Sequence, residues 1–476
     1  MRQRIYVLVC REIRLKINWF NSIDRCSLVG RFVRLTSVLS ISRRIVSNKQ
    51  IHIHIKDIYR RAVGGGYGAV FSMNILLQIL GFGSTVMVAK FLMPAELAMV
   101  KTAQAYAAVA VILAGAGLTS PILRFCADPL FDNKAQQRML RKALSIIAAA
   151  SSGVVLVLLF ATAFFWGITG YPGQVYSIYA LLLPALAFTG LLYVFLQARQ
   201  QFSALARNQS AIKLISVFLV VIAAYKWGLY GFLFATLIVT YVGLIPLFRL
   251  TLVPQEKNFS STLPPEFFHL AFYGMAGTFI STLGQSSDFI LMDFVGVDRA
   301  EVGRYSLASV FFLGAATLTG SIQAVITPKF TNMLSDPSAF TLYLRSWIKK
   351  MIALSLVVAC VTLGVAWVLQ IWFFGEKYDG FVGYLSILMI KYVIWSSYAI
   401  MGAAMLGAGI IKRVTWIVVI TTMISFAIGY PLCMWLGATG AAIAQVLVAL
   451  LSLCLLMAVQ KSEFERAFSQ SSASIQ

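Results

Sequence analysis

From about residue 66 onward the chain is written as apolar runs of about twenty residues, one after another, with most of the charge in the gaps and at their borders. A run of that length crosses a ~30 Å hydrocarbon core as a helix, and in lipid a helix satisfies its own backbone hydrogen bonds. Twelve spans are predicted, at 66–90, 97–120, 143–166, 176–198, 211–226, 229–248, 267–292, 303–326, 350–373, 381–405, 415–432 and 439–459. With 59% hydrophobic and only 12% charged residues, a 476-residue chain could not cover a soluble surface. After residue 64 no gap is long enough for an independent soluble core. The fold class is an all-α polytopic membrane protein.

The net charge of +22 follows the gaps rather than one face. Sixteen Lys and Arg lie in the even-numbered connections, from Arg124 to Arg413, against six in or beside the odd ones (Lys90, Lys101, Lys226, Arg299, Arg304, Lys377). This is the asymmetry that holds loops on the cytoplasmic side of a membrane, and it argues against nucleic-acid binding. It places both termini in the cytoplasm, as an even number of spans requires.

Residues 1–57 are basic and lack both a long apolar region and a small-residue cleavage site, so they do not read as a signal peptide. A peripheral arm on anionic lipid, a disordered tail and a start site placed too early all remain open for them. His52 and His54 share a face of "IHIHIK" but have no third ligand, and the six cysteines show no paired spacing. Neither metal, cofactor nor disulfide is expected.

One element is written twice. "FLMPAELAMVKTAQAY" and "FVGVDRAEVGRYSLAS" align through Glu96 and Glu301, 205 residues apart, and Pro121 falls near Pro328. "WGLYGFLFATL" (227–237) then matches "LGATGAAIAQV" (436–446) at an offset of 209, bringing Gly228 to Gly437 and Gly231 to Gly440. Glycine spacing alone is a common helix-packing device, but a nearly constant offset over four segments indicates duplication. Six spans per half is an even number, so the repeat is parallel, with its axis along the membrane normal. The expected division is a basic extension at 1–57, lobes at 58–255 and 256–460, and a cytoplasmic tail at 461–476.

Four segments carry a family resemblance: "AKFLMPAELAMVKTAQAY" (89–106), "SSDFILMDFVGVDRAEVGRYSLA" (286–308), "FFGEKYDGFVGYLSILM" (373–389) and "LGATGAAIAQVL" (436–447). Together they resemble the polysaccharide-exporting branch of the MOP superfamily, the O-antigen flippases of the Wzx type and related exporters. Met93 and Ala98 stand where that family commonly has Gly. The resemblance implies a flippase for an undecaprenyl-diphosphate-linked oligosaccharide, with membrane lipids, a coupling H+ or Na+ and polysaccharide polymerase machinery as associated partners. The drug-extruding MATE branch shares the architecture and stands as the alternative, a cation-coupled exporter of small amphiphiles.

A diphosphate crossing a low-dielectric layer needs cations, and its sugars need neutral hydrogen-bonding groups. Lys391 lies about ten residues into span 10, or ~15 Å along a helix. Diphosphate contact, an ion pair and snorkelling are its three readings. Asp288, beside Gln285, Ser286 and Ser287, is its natural counterion, a proton or sodium site, or a packing carboxylate satisfied by hydroxyls. Lys90, Arg124 and Arg304, like Lys101, sit near span ends as substrate contacts or topology anchors. Asn74 and Gln78, with Gln104, Gln197 and Gln323, line a sugar path or bond between helices. Trp166, Trp227, Trp372 and Trp435 read as interface anchors. No Gly-x-Ser-x-Gly or Walker loop is present, and Gly64-Gly65-Gly66 lacks the Lys that would follow in a phosphate cradle. Outer connections of about six to ten residues leave no room for an enzyme's outer domain.

Overall fold

The structure, a computed structural model, describes residues 67–128, 130–167, 170–252, 264–334 and 336–473. The chain divides into two compact units at Ala69 and Val70. The first lies almost wholly outside the described residues, and with it fall the basic extension, His52, His54, Cys10 and Cys26. The second unit, Val70–Gln476, is the membrane body.

Every described element is helical: α1 Tyr67–Phe91, α2 Pro94–Ala114, α3 Thr119–Ala127, α4 Asn133–Phe165, α5 Tyr171–Ala198, α6 Phe202–Thr251, α7 Phe267–Gln285, α8 Ser287–Val295, α9 Arg299–Asn332, α10 Pro337–Leu369, α11 Phe381–Gly407 and α12 Ile411–Ala473. A π turn (Gln370–Phe374) and a 3-10 turn (Gly375–Tyr378) join α10 to α11. Short polar residues start the helices where the sequence places loops. Asp132 accepts from the Ala135 N–H at 2.7 Å, and Asp298 accepts from the Glu301 N–H at 3.1 Å. At α10, Asp336 accepts from the N–H groups of Ala339 and Ser338, at 3.0 and 3.1 Å, and these bonds hold its carboxyl below the usual carboxylate range.

Among the described residues, eight helices are long and apolar enough to cross a membrane. The difference from the twelve spans read in the sequence has definite causes. Helix α6, at 50 residues, would run about 75 Å if straight, far beyond one bilayer core. Non-helical backbone interrupts it at Trp227 and Gly228, between the runs read as spans 5 and 6. Helix α12, at 63 residues, is interrupted at Gly437, between spans 11 and 12. Span 7 is split instead, into α7 and α8, at Ser286, and span 1 is represented among the described residues by the shorter apolar stretch Leu80–Phe91.

The interruptions repeat as the sequence does. Gly228 has φ 57° and ψ −137°, and Gly437, 209 residues later, has φ 57° and ψ −136°. A Cβ on Gly231 would overlap the Ala223 carbonyl, and one on Gly440 would overlap the carbonyl of Leu432, again 209 residues on. Gln200 and Gly409 both take positive φ, followed by Gln201 N–H to Leu196 O and Ile410 N–H to Met405 O, both at 2.9 Å. The halves differ at two places. Span 2 turns at Ala116 and Gly117 (φ 47° and 64°) between α2 and α3, whereas its counterpart α9 is continuous. The break at Ser286 has no counterpart in α1.

The two hinge glycines carry unequal constraints. A Cβ on Gly228 meets nothing within 4 Å, but one on Gly437 would stand 2.8 Å from Glu301 Oε2. Glu301 Oε1 accepts from the Ala438 N–H and from Tyr384 OH, both at 3.0 Å, so it cannot withdraw freely. Both Ala substitutions force a backbone strained for L residues, at about 1–3 kcal/mol. Gly437→Ala is therefore expected to lower the thermal midpoint in detergent more than Gly228→Ala does; equal losses would contradict this packing.

Buried side chains form three clusters. One draws almost wholly on the first half, around Leu183, Leu191 and Phe195. The other two belong mainly to the second half, around Tyr305, Phe381 and Tyr392, and around Phe330, Phe340 and Met405. The halves meet along α2–α9, α2–α8, α2–α7 and α3–α7.

Candidate functional site

The break in span 7 falls inside the second half, and the polar side chains of that half converge on it. Ser287 and Asp288 open α8, Tyr305 comes from α9, Lys391 from α11, and Ser425 and Gln445 from the two arms of α12. Asp288 is buried and its Oδ2 accepts from Tyr305 OH at 2.6 Å, while Oδ1 accepts from the Phe289 N–H at 2.9 Å. Next to it, the hydroxyls of Ser287 and Ser425 share a hydrogen bond at 2.8 Å. Gln445 Nε2 donates to Ser287 Oγ at 3.3 Å, and Gln445 Oε1 accepts from Lys391 Nζ at 2.7 Å. The Lys391 ammonium also lies 4.6 Å from the centre of the Phe312 ring.

Lys391 and Asp288 influence one another electrostatically but form no ion pair within 4.0 Å. Gln445 stands in contact with the ammonium instead. An ammonium has three donors and Gln445 takes one of them. A half-buried lysine in a spanning helix, held by a neutral amide and a ring, keeps donors for an incoming anion. Asp288 accepts from the Tyr305 hydroxyl and the Phe289 N–H.

The other sequence candidates are placed as follows. Gln285, three residues from Asp288, is exposed and bonds within its own helix, to Ser281 Oγ at 3.2 Å. Lys90 is exposed with its ammonium 4.1 Å from the Phe373 ring centre. Arg124 faces Glu266 at 3.9 Å with both side chains well exposed, a geometry of little energetic weight. Arg304 is half-buried and makes no hydrogen bond or ion pair among the described residues; Lys101 is in the same position. Gln78 lines an apolar groove of about 280 Å³ between α1, α9 and α10, with Phe82, Phe311, Leu318 and Val361. The side chain of Asn74 lies outside the described residues. Gln104 donates to Tyr179 OH at 3.1 Å and Gln323 to the Ala399 carbonyl at 2.6 Å, both bonds between helices. Trp227, Trp372 and Trp435 are exposed, whereas Trp166 packs on Tyr176 at 4.9 Å.

A second set of contacts stitches the halves together at the end that carries the odd connections. Asp293, on α8, accepts from Tyr106 OH of α2 at 2.9 Å and from Tyr176 OH of α5 at 3.3 Å. Lys377 Nζ donates to the Lys90 carbonyl at 3.0 Å, and Tyr378 OH to the Leu92 carbonyl at 3.1 Å. Arg299 reaches Met99 Sδ at 3.3 Å. Gly303 lies so close to Pro94 that a Cβ would overlap its carbonyl. On one side the halves also touch near the other end, where Phe125 stacks on Phe267 at 6.0 Å. On the α1–α9 side they leave the groove.

Gln445, Tyr305 and the Asp293 tyrosine pair were not singled out from the sequence. Gln445 sits in a small-residue motif, "GAAIAQV", where glycine and alanine carried the alignment. Its counterpart 209 residues earlier is Thr236, and that of Asp288, 205 earlier, is Gly83. A long amide where the other repeat has a short hydroxyl, and a carboxylate where it has glycine, were the available signal.

Comparison with known proteins follows the same lines. The sequence matches the family model described as polysaccharide biosynthesis protein over residues 63–334. No curated protein matches. Among solved structures, an inward-facing multidrug resistance MATE transporter of the MOP superfamily is similar at TM-score 0.69 and 14% identity, over 83% of this chain and 96% of that one. The lipid II flippase MurJ, in an inward closed conformation, is similar at TM-score 0.67 and 14% identity, over 85% and 90%. A MOP-superfamily transporter from Pyrococcus furiosus, noted for the reversed polarity of its binding pocket, gives 0.57 and 15%, over 84% and 96%. At such identities the likeness is one of fold. The chain belongs to the polysaccharide biosynthesis protein family, and it is a multi-pass membrane protein with the helical fold of MOP-superfamily transporters.

Proposed function

We propose that this protein is a flippase carrying an undecaprenyl-diphosphate-linked oligosaccharide across the bacterial inner membrane by alternating access of two lobes. The observation that carries the reading is the Lys391 ammonium, held within a spanning helix by Gln445 and the Phe312 ring with no carboxylate in contact among the described residues. An uncommitted donor at that depth is suited to a diphosphate oxyanion and unsuited to a cationic drug. Membership in a polysaccharide biosynthesis family supports the same substrate class. The excess of Lys and Arg in the even connections puts both termini in the cytoplasm. The seal through Asp293, Gly303 and Tyr378 then lies on the periplasmic side, and the saccharide head enters from the cytoplasm while its lipid tail stays in the bilayer. H+ or Na+ coupling and contact with polymerase machinery belong to this reading as associated features.

One observation favours a second reading, a cation-coupled exporter of the MATE type: Asp288 is a buried carboxylate of the kind a coupling ion uses. Complementation of a flippase-null strain separates the two. The wild-type gene is expected to restore surface polysaccharide, and Lys391→Ala to lower it about tenfold or more, the worth of one charge-assisted hydrogen bond. Full activity of Lys391→Ala would remove Lys391 from the site. No complementation, joined to drug sensitivity of the deletion strain, would favour the exporter.

A further inference from the structure

Helix α8 is nine residues long, and both of its ends are committed. At its start Ser287 is tied through Gln445 to the Lys391 ammonium, and Asp288 is tied to Tyr305. Near its end Asp293 holds Tyr106 and Tyr176, which belong to the other half of the molecule. Ser287 and Asp293 are six residues apart, about 9 Å along a helix axis. The segment is short, and it is separated from α7 by the break at Ser286 and from α9 by the turn at Gly296 (φ 79°). It is therefore a rigid rod hinged at both ends, with the candidate anion site at one and the seal between lobes at the other.

Among the described residues, Gln445 is the side chain hydrogen-bonded both to that rod and to the cation. Its amide is oriented by what it meets: Nε2 faces the Ser287 hydroxyl, so Oε1 faces Lys391. It is buried, and among the described residues no other side chain bonds to both groups. An anion that engages Lys391 competes with Oε1 for the ammonium, because a charged acceptor outbids an amide carbonyl. Losing that bond frees the amide and weakens the hold on Ser287, which keeps its bonds to Ser425 at 2.8 Å and to the Gly284 carbonyl at 2.9 Å.

We propose that Gln445 is a positioning residue that both aims Lys391 and links it to α8, so that capture of a lipid diphosphate by Lys391 loosens α8 and releases Asp293 from Tyr106 and Tyr176. This rests on the flippase reading and adds to it how an occupied site opens the opposite seal. The bistable element is α8, biased from one end by the ligand and from the other by the tyrosines.

The test uses the full-length protein in nanodiscs, with native cysteines replaced and spin labels at Met93→Cys and Glu376→Cys, which are exposed and lie on either side of the seal. The probe is bare undecaprenyl diphosphate, with undecaprenol as the uncharged control. In the otherwise native protein the diphosphate is expected to lengthen the distance between labels, and undecaprenol to leave it unchanged. Gln445→Leu is expected to bind the diphosphate more weakly, since Lys391 is no longer aimed, and to show no lengthening even at a saturating concentration of it. Gln445→Glu would pair with Lys391 and is expected to bind about tenfold more weakly or worse. A purely structural Gln445 would lower thermal stability and leave the split between affinity and opening unmoved. Lengthening in Gln445→Leu equal to that of the native protein overturns the proposal. Absence of diphosphate binding in the native protein instead removes the flippase reading beneath it.

Discussion

Gly303→Val is expected to abolish transport while leaving a folded, membrane-inserted protein. The reason lies in what would have to move. A Cβ at 303 meets the carbonyl, carbon and Cα of Pro94, all backbone, so no side chain can swing away to relieve the overlap. Pro94 opens α2, and its N-terminal turn is held by the Glu96 carboxylate on the Met93 N–H at 2.7 Å. Relief must come from separating α9 from α2, which opens the seal between the lobes. Overpacking of this kind costs about 3 kcal/mol or more, enough to shift a closed-to-open ratio by about 100-fold. Spin labels at Met93 and Glu376 should report a distance lengthened without any ligand, and complementation should fail. A variant that keeps the native distance and native activity would show that the α2–α9 contact is dispensable.

Asp288→Ala should be the second severe change, for a different reason. It leaves the Tyr305 hydroxyl, on one of the largest fully buried side chains, without its acceptor. It also leaves Lys391 with no nearby carboxylate acting on it. The lost bond to a charged group amounts to about 2 kcal/mol, or about 5 °C in the thermal midpoint of a domain of ordinary size. Asp288→Ala paired with Tyr305→Phe should recover part of that loss, because both partners are then gone. Transport should stay impaired in the pair, since the electrostatic influence on Lys391 is not restored. If the double variant is no more stable than Asp288→Ala alone, Tyr305 is not the partner that matters.

The architecture was legible because lipid imposes one simple rule on a sequence, and the duplication wrote it twice. Glycines 209 residues apart in the sequence take matching dihedral angles in the structure, and the turns at Gln200 and Gly409 follow the same offset. Helix continuity was less legible. Hydropathy dips at Lys226 and Trp227 and so marks the kink in α6, where the backbone leaves helical geometry, but it does not show that the two spans abut there without a loop. The break at Ser286 was hidden for the opposite reason, since an uncharged serine does not interrupt an apolar run.

The site divides along a similar line. Lys391 and Asp288 stand out in any sequence, because a charge amid apolar residues has few innocent explanations. Gln445 does not, since its role depends on helices brought together only by folding. The seal was invisible for the same reason: Tyr106, Tyr176 and Asp293 lie on three separate helices. Gln285, beside Asp288 in sequence, is turned away because the chain leaves its helix at Ser286 between them.

The most direct measurement is leaflet transfer in proteoliposomes. Purified protein is reconstituted with an undecaprenyl-diphosphate oligosaccharide, and the saccharide exposed on each face is read with a membrane-impermeant lectin. The account predicts transfer well above protein-free vesicles, lost in Lys391→Ala and in Gly303→Val. Transfer no faster than in empty vesicles, from a preparation that instead expels a cationic amphiphile against a proton or sodium gradient, would contradict it.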